Sequence, residues 1–449
     1  MSNGSILDLV AMGAQDNDLI DNKNTKSNFD FTIEKKNKYS KGDTLFYAQG
    51  KPNWNNTIRF NIEKKGDLLY GLYLVVRLPK ISISNLNTPV QQNENDSTSN
   101  YRVRYTDFVG NVLIEKVSLY FNGSLIDEQY GDYMQFYTDL YLSDWNRKAM
   151  IGLDDYMNKP NLKIDEETLY IPLKFWFCND IKKPLPIIAL QNTDIYIDVK
   201  FRDFNSCICI LEKDNNGNLF HSNYVHREVP IVDCHLQANF YYVEMNERKE
   251  LATKEYEIVM TQAQIRNGVI GATGSLEINF NHVVKDLMFA IQPSISKTKG
   301  EFFNLTGKLE YPPVEIKNNL DYNLWTLEPE RNLLSRARML FNGMERIEWR
   351  DGKYFYYMQN HENFKNPLLS HFYVYSFNID PTKFTSTSGC NFSRIDSAQL
   401  QVEMRPQQII INNNGTTYQN NSEYELRCFA TNFNVLVIKG GLAGLKYSN

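Results

Sequence analysis

Four residues come nearest to a metal-ligand set. His221, His226, Cys234 and His235 fall in one short stretch, and imidazole and thiolate are the donors that zinc and other borderline metals prefer. The spacing argues against them. Cys234 and His235 are neighbours, so an extended backbone turns their side chains to opposite faces. A jelly-roll enzyme of the cupin type would need a His-x-His pair on one strand with a carboxylate, and the sequence has no such pair. Cys207-Ile208-Cys209 would place two thiols on one face of a strand, a poor geometry for gripping one ion with both.

Other candidates fail for similar reasons. There is no Gly-x-Ser-x-Gly elbow, no phosphate loop and no His-Glu-x-x-His. Gly268, Gly271 and Gly274 recur every third residue, which is not a dinucleotide fingerprint and reads as a strand connection. Asp154-Asp155 and Glu166-Glu167 read as solvated loop charge. Tyr354-Phe355-Tyr356-Tyr357 has the aromatic faces to stack bases or sugars, but directly after a hairpin it reads as packing. The residues therefore predict no enzyme, with no catalytic, cofactor-binding or metal site and no cofactor.

Composition narrows the class further. The formal net charge of −5 gives no drive toward nucleic acid. No apolar stretch reaches the roughly 20 residues that span a bilayer, and the N-terminus lacks the basic-then-apolar order of a secretion signal. The expected place of synthesis is the cytoplasm, with the six cysteines as reduced, partly buried thiols. Sequons at Asn3, Asn55, Asn95, Asn122, Asn304, Asn391, Asn414 and Asn420 then read as accidents of an Asn-rich chain.

The elements that would hold these residues are mostly strands. Aromatics make up 13% of the chain, Val, Ile and Thr are frequent, and Asn and Ser fill the gaps between apolar runs. Strands are predicted at Phe29–Ile33, Thr57–Ile62, Leu68–Leu78, Val112–Phe121, Ile171–Cys178, Asp194–Phe201 and Leu236–Met245. In the second half they are predicted at Tyr256–Gln262, Gly274–Phe280, Asp286–Gln292, Ala337–Phe341, Phe372–Asn378, Gln399–Arg405 and Glu425–Ile438. Tyr133, Phe136, Tyr137, Leu140 and Tyr141 recur at three and four residues and predict a short helix. Pro79–Asn100 and Glu212–Arg227 read as polar, exposed loops. Ser5–Ala14 has one apolar helical face.

One plan is written twice. Ile58-Arg59-Phe60 and Lys65 to Pro79 are echoed by Leu276-Glu277-Ile278 and Val284 to Pro293. Ser118 to Gly123 is echoed by Arg338 to Gly343, and Ala238 to Val243 by Thr431 to Leu436. The first two offsets are about 220 residues, as a duplicated domain gives. The fold class predicted is all-β: two consecutive eight-stranded antiparallel jelly rolls, with short helices in loops. The expected organisation is an N-terminal arm (1–27), a first jelly roll (28–245), a helical linker (246–253) capped by Asn246, a second jelly roll (254–440) and a C-terminal tail (441–449).

Several segments together resemble the major capsid protein of nucleocytoplasmic large DNA viruses. The most specific is Ser388-Gly389-Cys390-Asn391-Phe392-Ser393-Arg394-Ile395-Asp396, with Tyr373-Val374-Tyr375-Ser376-Phe377 upstream. Gly441 to Leu445, Ile171 to Phe177, Leu185 to Leu190 and the arm segment Leu7 to Asp16 are similar to the family as well. Lys35-Lys36-Asn37-Lys38-Tyr39 departs from it, standing where members often carry an aromatic, Arg-rich stretch. The resemblance implies a double jelly roll and a homotrimeric, pseudo-hexagonal capsomer that tiles the icosahedral capsid of a virion. It implies contacts with neighbouring capsomers, minor capsid or cement proteins near the arm, a nearby but unspanned internal membrane, no direct nucleic acid and assembly at viral factories in the host cytoplasm. Pro79–Asn100, Tyr130–Asn161, Glu301–Asn332 and Tyr354–Asn366 are the loops it suggests for the outer tower. The alternatives are a minor capsid or vertex component of the same fold, and a jelly-roll carbohydrate-binding or cupin-type protein.

Overall fold

Ile195–Phe201 and Ala398–Met404 alternate apolar and polar residues, and in both strands every second side chain is buried. That is the pattern of a strand with one face on a core. Leu68–Leu78 and Val283–Pro293, near-continuous apolar runs of 11 residues each, are covered on both faces over most of their length. The computed structural model describes residues 37–141, 149–215, 217, 219–306, 332–364, 366, 368, 370–383, 388–405, 410–411, 417–418 and 424–447. The chain divides into Met1–Lys38 and Tyr39–Asn449, and both jelly rolls belong to the second unit. The predicted arm and the strand at Phe29–Ile33 lie outside the described residues.

Among the described residues, sixteen strands form the two jelly rolls. The first has β1 (Tyr39–Tyr47), β2 (Thr57–Asn61), β3 (Leu68–Leu78), β4 (Ile114–Phe121), β5 (Ser124–Tyr130), β6 (Glu167–Pro172), β7 (Ile195–Phe201) and β8 (Asp233–Val243). The second has β9 (Tyr256–Ile270), β10 (Thr273–Glu277), β11 (Val283–Pro293), β12 (Leu334–Phe341), β13 (Met344–Asp351), β14 (Tyr373–Ser376), β15 (Ala398–Met404) and β16 (Tyr424–Lys439). The first half pairs them as β1-β8-β3-β6 and β2-β7-β4-β5. The second pairs them as β9-β16-β11-β14 and β10-β15-β12-β13. Adding eight to each label of the first half gives the order of the second, so the two copies share one topology. Every pairing is antiparallel, as a jelly roll requires.

The duplication reaches single residues. Tyr70 is the extra residue where β3 bulges against Asn239 and Phe240 of β8; Lys285 is the extra residue where β11 bulges against Thr431 and Asn432 of β16. Register therefore equates Gly71 with Asp286 and Asn239 with Thr431. The letter matches that equate Asp67 with Asp286 and Asn239 with Asn432 slip by four residues and one residue. The match of Asn122-Gly123 with Asn342-Gly343 holds, and both Asn residues have positive φ (48° and 50°), as their turns need.

Other segments differ from expectation. Ile171–Cys178 is not one strand: β6 stops at Pro172, and Trp176–Asn179 is a helical turn with Trp176 and Phe177 buried. A short run that is apolar all round suits either conformation. The stretch after Pro79 begins buried, because Ile81, Ile83 and Leu86 join the core. The predicted loop Glu212–Arg227 contains a strand, Leu219–His221, which pairs with Ile208–Lys213, itself added to Tyr101–Tyr105. β13 escapes a reading by periodicity because Ile347 is its one buried side chain. The linker helix, Met245–Thr253, starts before Asn246 and is capped at Glu244 without a side-chain bond. One apolar cluster runs through both halves.

Candidate functional site

A constellation of buried polar groups lies at the seam between the jelly rolls. Its centre is a helix after β5, here called α1 (Gly131–Tyr141). Gly131 is required there: a Cβ would stand 2.0 Å from the Asn111 carbonyl oxygen and 2.3 Å from that of Ile114. That close approach seats the helix against its own jelly roll. Asp132 in the first turn then meets one arginine from each half. Arg202 Nη2 donates to Asp132 Oδ1 at 3.3 Å, and Arg427 of β16 pairs with Oδ2. Arg202 also covers the Phe302 ring, 4.1 Å from its centroid. Two guanidinium groups and the helix N-terminus all place positive charge beside this buried carboxylate.

The aromatic face of α1 lies on the sheet β9-β16-β11-β14. Phe136 stacks on Phe372 at 4.2 Å and meets Phe429 edge-on at 5.8 Å. Tyr141 donates to Asp286 Oδ2 at 2.8 Å, and its ring lies 4.7 Å from the Lys285 ammonium. Burial raises the pKa of Asp286 and lowers that of Lys285. The Ser370 amide donates to Asp139 Oδ2 at 2.9 Å, and the Asn366 amide group to the Leu140 carbonyl at 2.6 Å. These contacts correct the suggestion that all of Tyr130–Asn161 belongs to an outer tower, because α1 is enclosed between the halves.

A second strip joins β5 to β9. The Ala263 amide donates to Asp127 Oδ1 at 3.1 Å, and Gln262 Nε2 to the Ile126 carbonyl at 2.5 Å. Burial pushes the Asp127 carboxyl up to about 7, against hydrogen bonds from Ala263 and Gln129 that favour its ionised form. At the far end, the Gly441 carbonyl accepts from the Asn192 amide at 3.0 Å and from Thr193 Oγ1 at 2.9 Å. Charged and neutral bonds therefore join the two halves along the length of the seam.

The candidate ligands disperse. His226 is buried, accepts from the Ser82 amide at 3.3 Å and faces the Phe204 ring. Cys234 is buried within the first jelly roll, and His235 lies on the sheet's outer side beside Tyr47. His221 instead meets Cys209 and Glu301, while Cys207 closes the turn before them. Asp154 is not merely solvated charge, since it accepts from the Met157 amide at 2.9 Å and starts a helical turn. Phe355 and Tyr356 pack inside, and Tyr357 remains exposed. Arg104 and Glu301 were not legible as partners. Arg104 sits in an alternating segment, Tyr101–Tyr105, that reads as an ordinary half-exposed strand, yet it is fully buried.

Two family models between them cover nearly the whole chain. One, the major capsid protein N-terminus, matches residues 25–243; the other, the large eukaryotic DNA virus major capsid protein, matches residues 247–444. The chain belongs to the major capsid proteins of large eukaryotic DNA viruses. This capsid protein is 24% identical to the major capsid protein of Phaeocystis pouchetii virus, with 99% of this chain and all of that one aligned. It is 25% identical to the major capsid protein of Paramecium bursaria Chlorella virus 1, over 99% of this chain and all of the other. Its fold matches the PBCV-1 capsid structure with a TM-score of 0.75 at 21% identity, covering 94% of this chain and 100% of that one. The Faustovirus major capsid protein matches with a TM-score of 0.70 at 13% identity, covering 93% of each. The capsid protein is thus a double jelly roll and a structural component of the virion shell, not an enzyme.

Proposed function

We propose that three copies of this capsid protein associate head to tail into a pseudo-hexagonal capsomer, which tiles an icosahedral shell. A difference between two equivalent faces carries this reading. In the second jelly roll the outer face of β9-β16-β11-β14 is covered by α1 from the first. In the first jelly roll the same face, on β1-β8-β3-β6, leaves Tyr47 69% and Tyr170 44% exposed. The insertion that corresponds to α1 in the second half follows β13, and there Tyr357 and Met358 are 43% and 51% exposed. Repeating the internal contact between chains seats this insertion on the open face of the next copy. Such a head-to-tail contact closes into a ring when the rotation fits, and three chains then present six jelly rolls to a six-sided lattice.

Within this reading the chain is organised as an arm (1–27), jelly rolls at 28–245 and 254–440, a linker (246–253) and a tail (441–449). The arm faces inward, toward minor capsid proteins and an internal membrane that the chain does not span. The net charge of −5 gives the whole chain no general attraction to nucleic acid. Synthesis in the host cytoplasm and assembly at viral factories complete the proposal. Size-exclusion chromatography with light scattering tests it: a trimer is expected at micromolar concentration, and a monomer there would sink it.

A further inference from the structure

We propose that Cys209, His221 and Glu301 bind a zinc ion that ties the two halves of the chain together. The three side chains come from distant parts of the sequence. Cys209 and His221 lie on the paired strands Ile208–Lys213 and Leu219–His221 of the first half. Glu301 follows β11 and a helical turn, Ser294–Thr298, in the second. Gly300 makes the approach possible, since a Cβ there would stand 1.8 Å from the Ile208 carbonyl oxygen.

The donors around the sulfur have the spacing of a tetrahedral ion: Cys209 Sγ is 3.4 Å from His221 Nδ1 and 3.6 Å from Glu301 Oε1. The other ring nitrogen, Nε2, is 3.7 Å from Oε1, and one zinc ion would take Nδ1, with a small shift of the Glu301 carboxylate. Zinc bonds of about 2.3 Å to sulfur and 2.0–2.1 Å to nitrogen or oxygen give tetrahedral edges of about 3.3–3.6 Å. All three ligand atoms lie within 4.8 Å of one another. Thiolate, imidazole and carboxylate together form a zinc set, with water in the fourth position.

Arg104 is fully buried and pairs with both Glu301 and Asp107, the latter at 3.1 Å. It holds Glu301 Oε1, the oxygen that also faces the Cys209 sulfur, and so fixes the carboxylate where zinc would meet it. Zinc binding would displace the Cys209 proton. Lys299 donates to the Ser222 carbonyl and Asn223 Oδ1, at 3.1 and 2.7 Å. Closed in by both halves, the ion would act as a staple.

The test uses the full chain, purified without a polyhistidine tag, loaded with zinc and then dialysed. One zinc per chain is expected by elemental analysis, with a higher unfolding midpoint than after chelation. Cobalt in place of zinc should give a thiolate-to-metal charge-transfer band. Cys209→Ser should lose both the zinc and the band, whereas Cys390→Ser, on a strand of the second half, should keep them. Glu301→Gln should weaken zinc binding at least tenfold. Less than a tenth of a zinc per chain would overturn the proposal, as would a cobalt band that survives Cys209→Ser. If Cys209→Ser fails to fold, the stoichiometry and cobalt spectrum of the native chain decide.

Discussion

Asn122 and Asn342 make the same clamp in the two jelly rolls. Each turns the chain in the left-handed region ahead of a positive-φ glycine (Gly123, 84°; Gly343, 78°). The Asn122 amide donates to the Asp194 carbonyl at 2.9 Å while its Oδ1 accepts from the Asp194 amide at 2.7 Å. The Asn342 amide donates to the Ser397 carbonyl at 2.7 Å while its Oδ1 accepts from the Ser397 amide at 2.9 Å. Asparagine serves both needs, since it tolerates this backbone and supplies an acceptor. Asn122→Ala and Asn342→Ala should each cost about 1–2 kcal/mol, from a lost hydrogen bond and a strained backbone. Asp at either position keeps the acceptor and should cost less. The two clamps lie in different jelly rolls and have different partners, so the losses should add in urea unfolding. A double variant no weaker than either single one would contradict two independent clamps.

Asp127 predicts an unusual pH dependence. Its carboxyl sits near 7 when folded, against about 3.9 for an exposed aspartate. The folded state therefore binds more protons between those values. Stability is fully present below about pH 4 for this group and is lost as pH rises through about 7. Asp286 shifts in the same direction for the same reason. Burial lowers the pKa of His371 to about 4, and this group acts in the opposite sense up to about pH 6.5. The contribution of Asp127 is therefore read as a difference: Asp127→Asn should gain in unfolding midpoint relative to the native chain as pH rises from 5 to 8. Equal slopes in the two proteins would show that Asp127 is ionised throughout the range.

Phe136 is the apolar anchor of α1. It is buried and stacks on Phe372 while meeting Phe429 edge-on. Phe136→Ala should cost about 3–5 kcal/mol, because the surrounding sheet cannot collapse into the space. Val90→Ala, on an exposed loop, should change stability by less than about 0.5 kcal/mol. Denaturant midpoints with unchanged slopes would confirm that the loss is one of stability. A loss below about 1 kcal/mol would mean that α1 does not hold the seam.

Much of the fold was legible because jelly-roll strands carry a period of two over one shared core. Leu68–Leu78 was bounded correctly from its apolar run alone, and Ile195–Phe201 to within one residue. The repeat was legible at Asn122 and Asn342, where backbone geometry restricts the residue. It was misaligned at Asp67 and Asp286, because an Asp before an apolar run recurs four residues out of register, and only the strand pairing tells the two apart. β13 stayed hidden, since an edge strand with one buried side chain has no apolar face to read. The seam was illegible for a different reason. Asp132, Arg202 and Arg427 look like surface charge until the topology brings them together, and no local pattern encodes a pairing across about 300 residues.

The open tyrosine face predicts which surfaces pair between chains. If the insertion after β13 docks there, Tyr357→Ala with Met358→Ala should weaken the trimer from one side, and Tyr47→Ala with Tyr170→Ala from the other. All four side chains are exposed, so none should lower the stability of the single chain by more than about 0.5 kcal/mol. Aromatic truncation at the centre of an interface costs about 2 kcal/mol, roughly a 30-fold loss of affinity per anchor. Sedimentation across a dilution series reads this as a trimer-to-monomer midpoint moved to higher concentration. The two pairs should be coupled, so combining them should cost less than the sum of their separate effects. Additive losses would place the pairs in separate contacts. Variants that stay trimeric at the same dilution as the native chain would exclude this face from the interface.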